Sequence, residues 1–191
     1  MTVFYTIITL TVLFWIFPAI RQYKTELFWY FFVLAISDPI AIALGLLFSM
    51  GADLAHLILC FPLLLSLYWL HHKNVYVKAM LSIFLLLILI VFGSSKDLHY
   101  TVIALVHIPI LFYFLRRTVY FISQNSKLNL FHIFLLLYDL SIILKVVLIV
   151  TDINTGVTFF YVTTLFEILI ALFFSIYKED DKRLLINLKN V

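Results

Sequence analysis

Long apolar stretches follow one another along this chain, and charged residues are confined almost entirely to the gaps between them. Each stretch has about the 20 residues that a helix needs to cross a hydrocarbon core. Seven are marked, at about 3–20, 27–48, 53–70, 75–93, 97–115, 130–150 and 157–177, with a short tail at 178–191. They are too long for membrane strands of about 10 residues, and their polarity does not alternate. Seven helices use roughly 140 residues and leave about 50 for loops and ends, which is too little for a second domain. Composition agrees: 65% of residues are hydrophobic and 12% are charged, with a mean hydropathy of +1.15. A soluble domain, with roughly twice that charged fraction, could not hide so much apolar surface. The fold class expected is therefore all-α: one polytopic transmembrane helical bundle of seven helices over residues 1–191.

The gaps set the orientation. Eleven Lys and Arg residues fall on one side: Arg21 and Lys24, then Lys73 and Lys78, then Arg116, Arg117 and Lys127, then Lys178, Lys182, Arg183 and Lys189 in the tail. Lys96 stands alone on the other side, and Lys145 lies inside a helix. The positive-inside rule then places the N-terminus outside and the C-terminus in the cytoplasm. The first 22 residues lack a basic n-region and a cleavage motif, so they read as a retained first helix. The basic excess follows this loop pattern, so no nucleic-acid partner is expected. Compact loops and the absence of Asn-x-Ser/Thr point to a bacterial cytoplasmic membrane. The outer-side acids Asp53 and Asp97 read as helix caps, and Asp152 as a turn residue. Arg116 to Asn129 reads as the longest connection, with Tyr120, Phe121 and Ile122 at the interface.

Ionisable groups at membrane depth cost at least about 2.5 kcal/mol each and are functional candidates by default. Asp38, His107, Asp139 and Glu167 each lie near the middle of a different predicted helix, in roughly one layer. The economical arrangement turns them inward, toward one another or a water-filled pocket. Thr163 and Thr164 share the face of Glu167, while Tyr138 lies on one stripe with Ser141 and Lys145. His56 and Cys60 are four apart, nearer the outer side. Lys145 can snorkel toward Asp152 or pair in the interior with Asp38 or Glu167. Asp38, Ala41 and Gly45 form a small-residue stripe suited to close helix approach. Pro39, Pro62 and Pro109 interrupt three of these helices and free backbone carbonyls beside the polar groups. The candidate ligand- or proton-binding set is thus Asp38, His56, His107, Tyr138, Asp139, Lys145, Thr163, Thr164 and Glu167.

No catalytic constellation or metal-ligand set is visible, and no cofactor can be named. The topology resembles the seven-helix input regions of bacterial sensor proteins, through helix count and orientation alone. That resemblance implies a receptor that binds a small molecule or ion between its helices and signals through a separate membrane or cytoplasmic partner. Its tail would become ordered only with that partner. The alternatives are a proton- or ion-coupled transporter, an assembly subunit without ligand, and an intramembrane metal hydrolase built on His107 and the carboxylates. Microbial rhodopsins share seven helices and a membrane lysine, but their retinal lysine lies on the seventh helix, where this chain has Glu167. A polar track continuous to both sides would favour transport over sensing.

Overall fold

The structure is a computed structural model that describes residues 2–68, 95–153 and 156–188. The expected helix at 75–93 and the basic residues Lys73 and Lys78 lie outside the described residues. Six α-helices are described: α1 Thr2–Arg21, α2 Phe28–Phe48, α3 Ala52–Tyr68, α4 Lys96–Asn125, α5 Leu130–Val150 and α6 Gly156–Ile176. Three of them, α2, α4 and α5, are long and apolar enough to cross a membrane.

The helices form a ring. Each of α1 to α5 packs against the next in sequence, α6 packs on α1, and a lighter α5–α6 contact closes the circle. Asp53, in the first turn of α3, meets His99, near the start of α4. These two helices therefore run parallel, and the chain leaves α3 at one end of the bundle and enters α4 at the other. The end that carries residues 177–188 is called the tail end below.

Apolar side chains cover much of the outer surface, and several polar ones are buried beside an apolar core. On α4 the exposed stripe is Leu98, Leu105, Ile108, Phe112, Leu115 and Val119, whereas His99, His107 and Thr118 are buried. On α5, Leu137, Leu140, Leu144 and Val147 face outward while His132, Asp139 and Ser141 are buried. A surface this apolar, on helices of which three could cross a membrane, suits an apolar medium.

The α4 helix runs ten residues beyond its expected end at 115. Nothing between Arg116 and Asn125 breaks a helix, since arginine is among the better helix formers. Its 30 residues span about 45 Å against a hydrocarbon core of about 30 Å. Arg116 and Arg117 therefore sit on a helix that can project past the apolar layer rather than in a loop. It ends where Ser126 turns left-handed (φ 50°) and donates its N–H to Ile122 O. The long connection expected over 116–129 shrinks to Ser126 and the strand β1, Lys127–Asn129. Asn129 also caps α5, accepting from the Phe131 N–H at 2.9 Å.

The described part of the tail folds back on the chain itself. Residues 185–187 form β2, antiparallel to β1, with Lys127 opposite Asn187 and Asn129 opposite Leu185. Leu184, just before β2, is buried with the hydrophobic core. The physical cause is the end of α6, whose carbonyls need partners. Gln22 donates to Phe174 O (3.1 Å) and Tyr177 O (2.7 Å), and Arg21 donates to Ile176 O (3.1 Å). Arg117 then bridges Glu26 and Glu179, and His132 lies 3.5 Å from Glu179. Farther along, hydrogen bonds from Arg183 hold the Asp181 carboxyl down at about 2, so this pair stays charged across the physiological range.

Between the tail end and the middle of the bundle lies an aromatic layer. Phe174 is fully buried, with its ring centroid 5.0 Å from Phe31, 4.8 Å from Phe131 and 6.5 Å from Trp15. Tyr30 meets Phe114 edge-on at 5.1 Å, and Phe134 stacks on Phe173 at 4.1 Å.

Candidate functional site

Above the aromatic layer, in the half away from the tail, the ring encloses a cavity of about 340 Å³. That is at the small end of the roughly 300–1,000 Å³ range of ligand pockets. All six described helices contribute to its wall. Thr11 and Trp15 come from α1, Ser37 and Asp38 from α2, and His56 and Cys60 from α3. Tyr100 and His107 come from α4, Tyr138 and Lys145 from α5, and Glu167 from α6. The rest is apolar, with Leu34, Leu59, Leu63, Ile103, Ile142, Val146 and Ile149.

The polar groups are organised as pairs. Lys145 Nζ lies 2.8 Å from Glu167 Oε1, which ties α5 to α6 where the two helices otherwise touch least. Lys145 thus turns inward rather than snorkelling to Asp152, which occupies a left-handed turn position (φ 50°). His107 Nδ1 donates to Asp139 Oδ1 at 2.6 Å across the α4–α5 contact. This bond sets the ring orientation of a cavity-lining histidine and leaves its Nε2 as the nitrogen not used on Asp139. Asp139 stands behind it, fully buried, and its second oxygen has no hydrogen-bond partner among the described residues. The Tyr30 hydroxyl is buried without one as well. His56 Nδ1 donates to Ala52 O at 2.7 Å, and its Nε2 faces Asp38 at 3.7 Å. The side chains of His56 and Asp38 are 51% and 39% exposed, so this part of the cavity is open.

Six of the candidate residues therefore line one cavity: Asp38, His56, His107, Tyr138, Lys145 and Glu167. Asp139 supports the wall from behind. Thr163 and Thr164 are buried on α6 but do not line the cavity, and the Thr163 hydroxyl donates to Phe159 O at 2.9 Å. The small-residue stripe does not make a close approach at Gly45. A methyl group there would meet only Met50 O, at 3.6 Å, among the described residues. Cys60 donates to Leu57 O, so its thiol is engaged with its own helix. Among the described residues no group of three His, Cys, Asp or Glu side chains is placed to hold a metal ion.

One polar pair has no counterpart in the sequence reading. Asp53, expected only as a cap, accepts a 2.6 Å hydrogen bond from His99 Nδ1, and both residues are buried. Asp97 is in the first turn of α4, and the N-cap Ser95 makes no side-chain capping bond. The signal for the Asp53–His99 pair is the parallel course of α3 and α4, which local spacing does not carry. A test lies in Gly51, where an added methyl would sit 2.5 Å from Asp53 Oδ1. Gly51→Ala is expected to lower stability by about 1–2 kcal/mol, the worth of a charge-assisted hydrogen bond. Gly45→Ala should be neutral or stabilising, by up to about 1 kcal/mol, from helix propensity. Thermal unfolding of the two variants in one detergent gives the comparison.

Comparison with protein families, with curated proteins and with solved structures finds no match to this chain.

Proposed function

We propose that this chain is an integral membrane protein of seven helices, N-terminus outside, that binds a small ligand in the cavity and relays its occupancy to a partner protein at the tail end. The observation that carries the reading is the cavity itself. Six described helices direct ionisable or aromatic groups into one space, and the packed rings around Phe174 lie on its tail side. A space open to one half of the bundle and backed by packed rings suits binding better than passage. The parallel course of α3 and α4 supports an odd number of crossings, and the basic tail end supports its placement in the cytoplasm. Compact loops without glycosylation sequons support a bacterial inner membrane. A ligand that moves α5 or α6 also moves the tail, because His132 and Arg117 grip Glu179 immediately beyond α6.

The test uses purified protein in detergent or nanodiscs. Asp38→Asn, Asp139→Asn and Glu167→Gln are compared with wild type by thermal unfolding from about pH 5 to about pH 8.5, with and without a panel of small molecules and metal ions. The expected result is a ligand-dependent rise in wild-type unfolding temperature that at least the two cavity-lining variants, at Asp38 and Glu167, lose. If nothing shifts wild type and all three variants match it at every pH, the cavity is a packing feature, and a non-catalytic assembly subunit is the better reading. Proton uptake into vesicles that depends on Glu167 would instead establish a coupled transporter.

A further inference from the structure

The cavity has a sign. Asp38 and Glu167 are carboxylates on its wall, Asp139 is a third behind His107, and Lys145 is the ammonium group that offsets one of them. Lys145 is matched to Glu167, and among the described residues no lysine or arginine stands opposite the Asp38 carboxyl on the wall. Lys145 is engaged by Glu167, so a ligand anion would have to break that 2.8 Å pair to reach it. Asp38 is the surplus anion.

Its surroundings say what would satisfy it. The His56 Nδ1–H is used on Ala52 O, so a neutral ring turns an unprotonated Nε2 toward Asp38. In that neutral form two acceptors face one another 3.7 Å apart at the open part of the wall, whereas a protonated ring would itself donate to Asp38. Both need a donor, and a group with several N–H bonds and a positive charge serves both at once. The rest of the wall suits such a group on an apolar body. Trp15 and Tyr138, with ring centroids 4.6 Å apart, and Tyr100 offer aromatic faces, while Leu59, Leu63 and Ile103 are apolar.

We infer that the cavity takes a small organic ammonium ion, a primary or secondary amine on an apolar body, whose N–H groups lie between Asp38 and His56. This inference rests on the reading of the cavity as a ligand site.

The experiment uses three probes of matched shape: 4-phenylbutylamine, 4-phenylbutanol and 4-phenylbutanoate. The full chain is held in nanodiscs of zwitterionic lipid at about pH 9, far enough above the ordinary histidine range that the His56 ring beside Asp38 is neutral while the amine probe is still an ammonium ion. Binding is read by tryptophan fluorescence and by the unfolding temperature. The amine is expected to bind saturably, at least about tenfold tighter than the alcohol, with the butanoate weakest. Asp38→Asn should bring the amine down to the level of the alcohol. Comparison of the three probes on wild type needs no variant, so a misfolded Asp38→Asn leaves the test intact. Alcohol or butanoate binding as tightly as the amine overturns the ammonium class and leaves the cavity a ligand site. Equal amine binding by wild type and Asp38→Asn overturns the placement at Asp38, and with it the inference. If no probe acts on wild type the inference falls, and the carboxylate variants with the wider panel decide the ligand-site reading separately.

Discussion

His107→Leu lowers the stability of the folded bundle by about 3–5 kcal/mol, the range for breaking a buried polar pair by removing one partner. The 2.6 Å bond from His107 Nδ1 is the hydrogen bond found on the Asp139 carboxyl, whose other oxygen is already unpartnered among the described residues. Asp139 has no exposed surface, so water does not replace the lost donor. Asp139→Leu alone is milder, because a histidine at the cavity wall can turn toward the open space. The double variant His107→Leu/Asp139→Leu should recover most of the loss, since it leaves no orphaned charge. Thermal or denaturant unfolding of the four proteins in one detergent gives the coupling energy directly. A His107→Leu protein as stable as wild type would show that the pair does not hold α4 to α5.

Phe174→Ala costs about 3 kcal/mol and opens the cavity toward the tail. The estimate sits at the low end of the soluble-protein range for this substitution. Lipid is as apolar as the protein interior, so no gain in hydrophobic transfer is lost when the ring goes. What remains is the dispersion energy of a fully buried ring wedged among Phe31, Phe131 and Trp15, together with the void it leaves. Trp15 also packs on Tyr138, and both line the cavity, so the void joins the space above. Unfolding temperature measures the first effect. The second is read at Cys60, the sole cysteine of the chain and part of the cavity wall. Its alkylation by a polar thiol reagent supplied from the tail side should be slow in wild type and faster in Phe174→Ala. Equal rates would mean that the aromatic layer is not the seal, which would remove the main support for binding over passage.

Much of the helical organisation of the described residues is legible in the sequence, because long apolar runs bounded by charged gaps mark the helices one by one. Segment ends are less legible. The continuation of α4 to Asn125 depends on Ser126, Asn129 and the β1–β2 ribbon, and the ribbon forms only when the tail folds back. Rotation of each helix is barely legible, since lipid-facing and core-facing residues are alike apolar and hydrophobic periodicity loses its contrast. Gly45 illustrates this: its spacing from Asp38 suggests a helix contact, yet its neighbour is the carbonyl of the following turn.

By itself, the sequence determined an all-helical chain with apolar segments and the depth at which Asp38, His107, Asp139, Lys145 and Glu167 sit along their helices. Depth is counted along one chain, and a helix advances by a constant rise per residue. Only the tertiary structure decided the partners: Lys145 with Glu167, His107 with Asp139, and Asp53 with His99. A contact between two helices depends on the order of helices around the ring, on the rotation of each and on their relative shift. Those quantities are set by the packing of all the helices together, and no local spacing contains them.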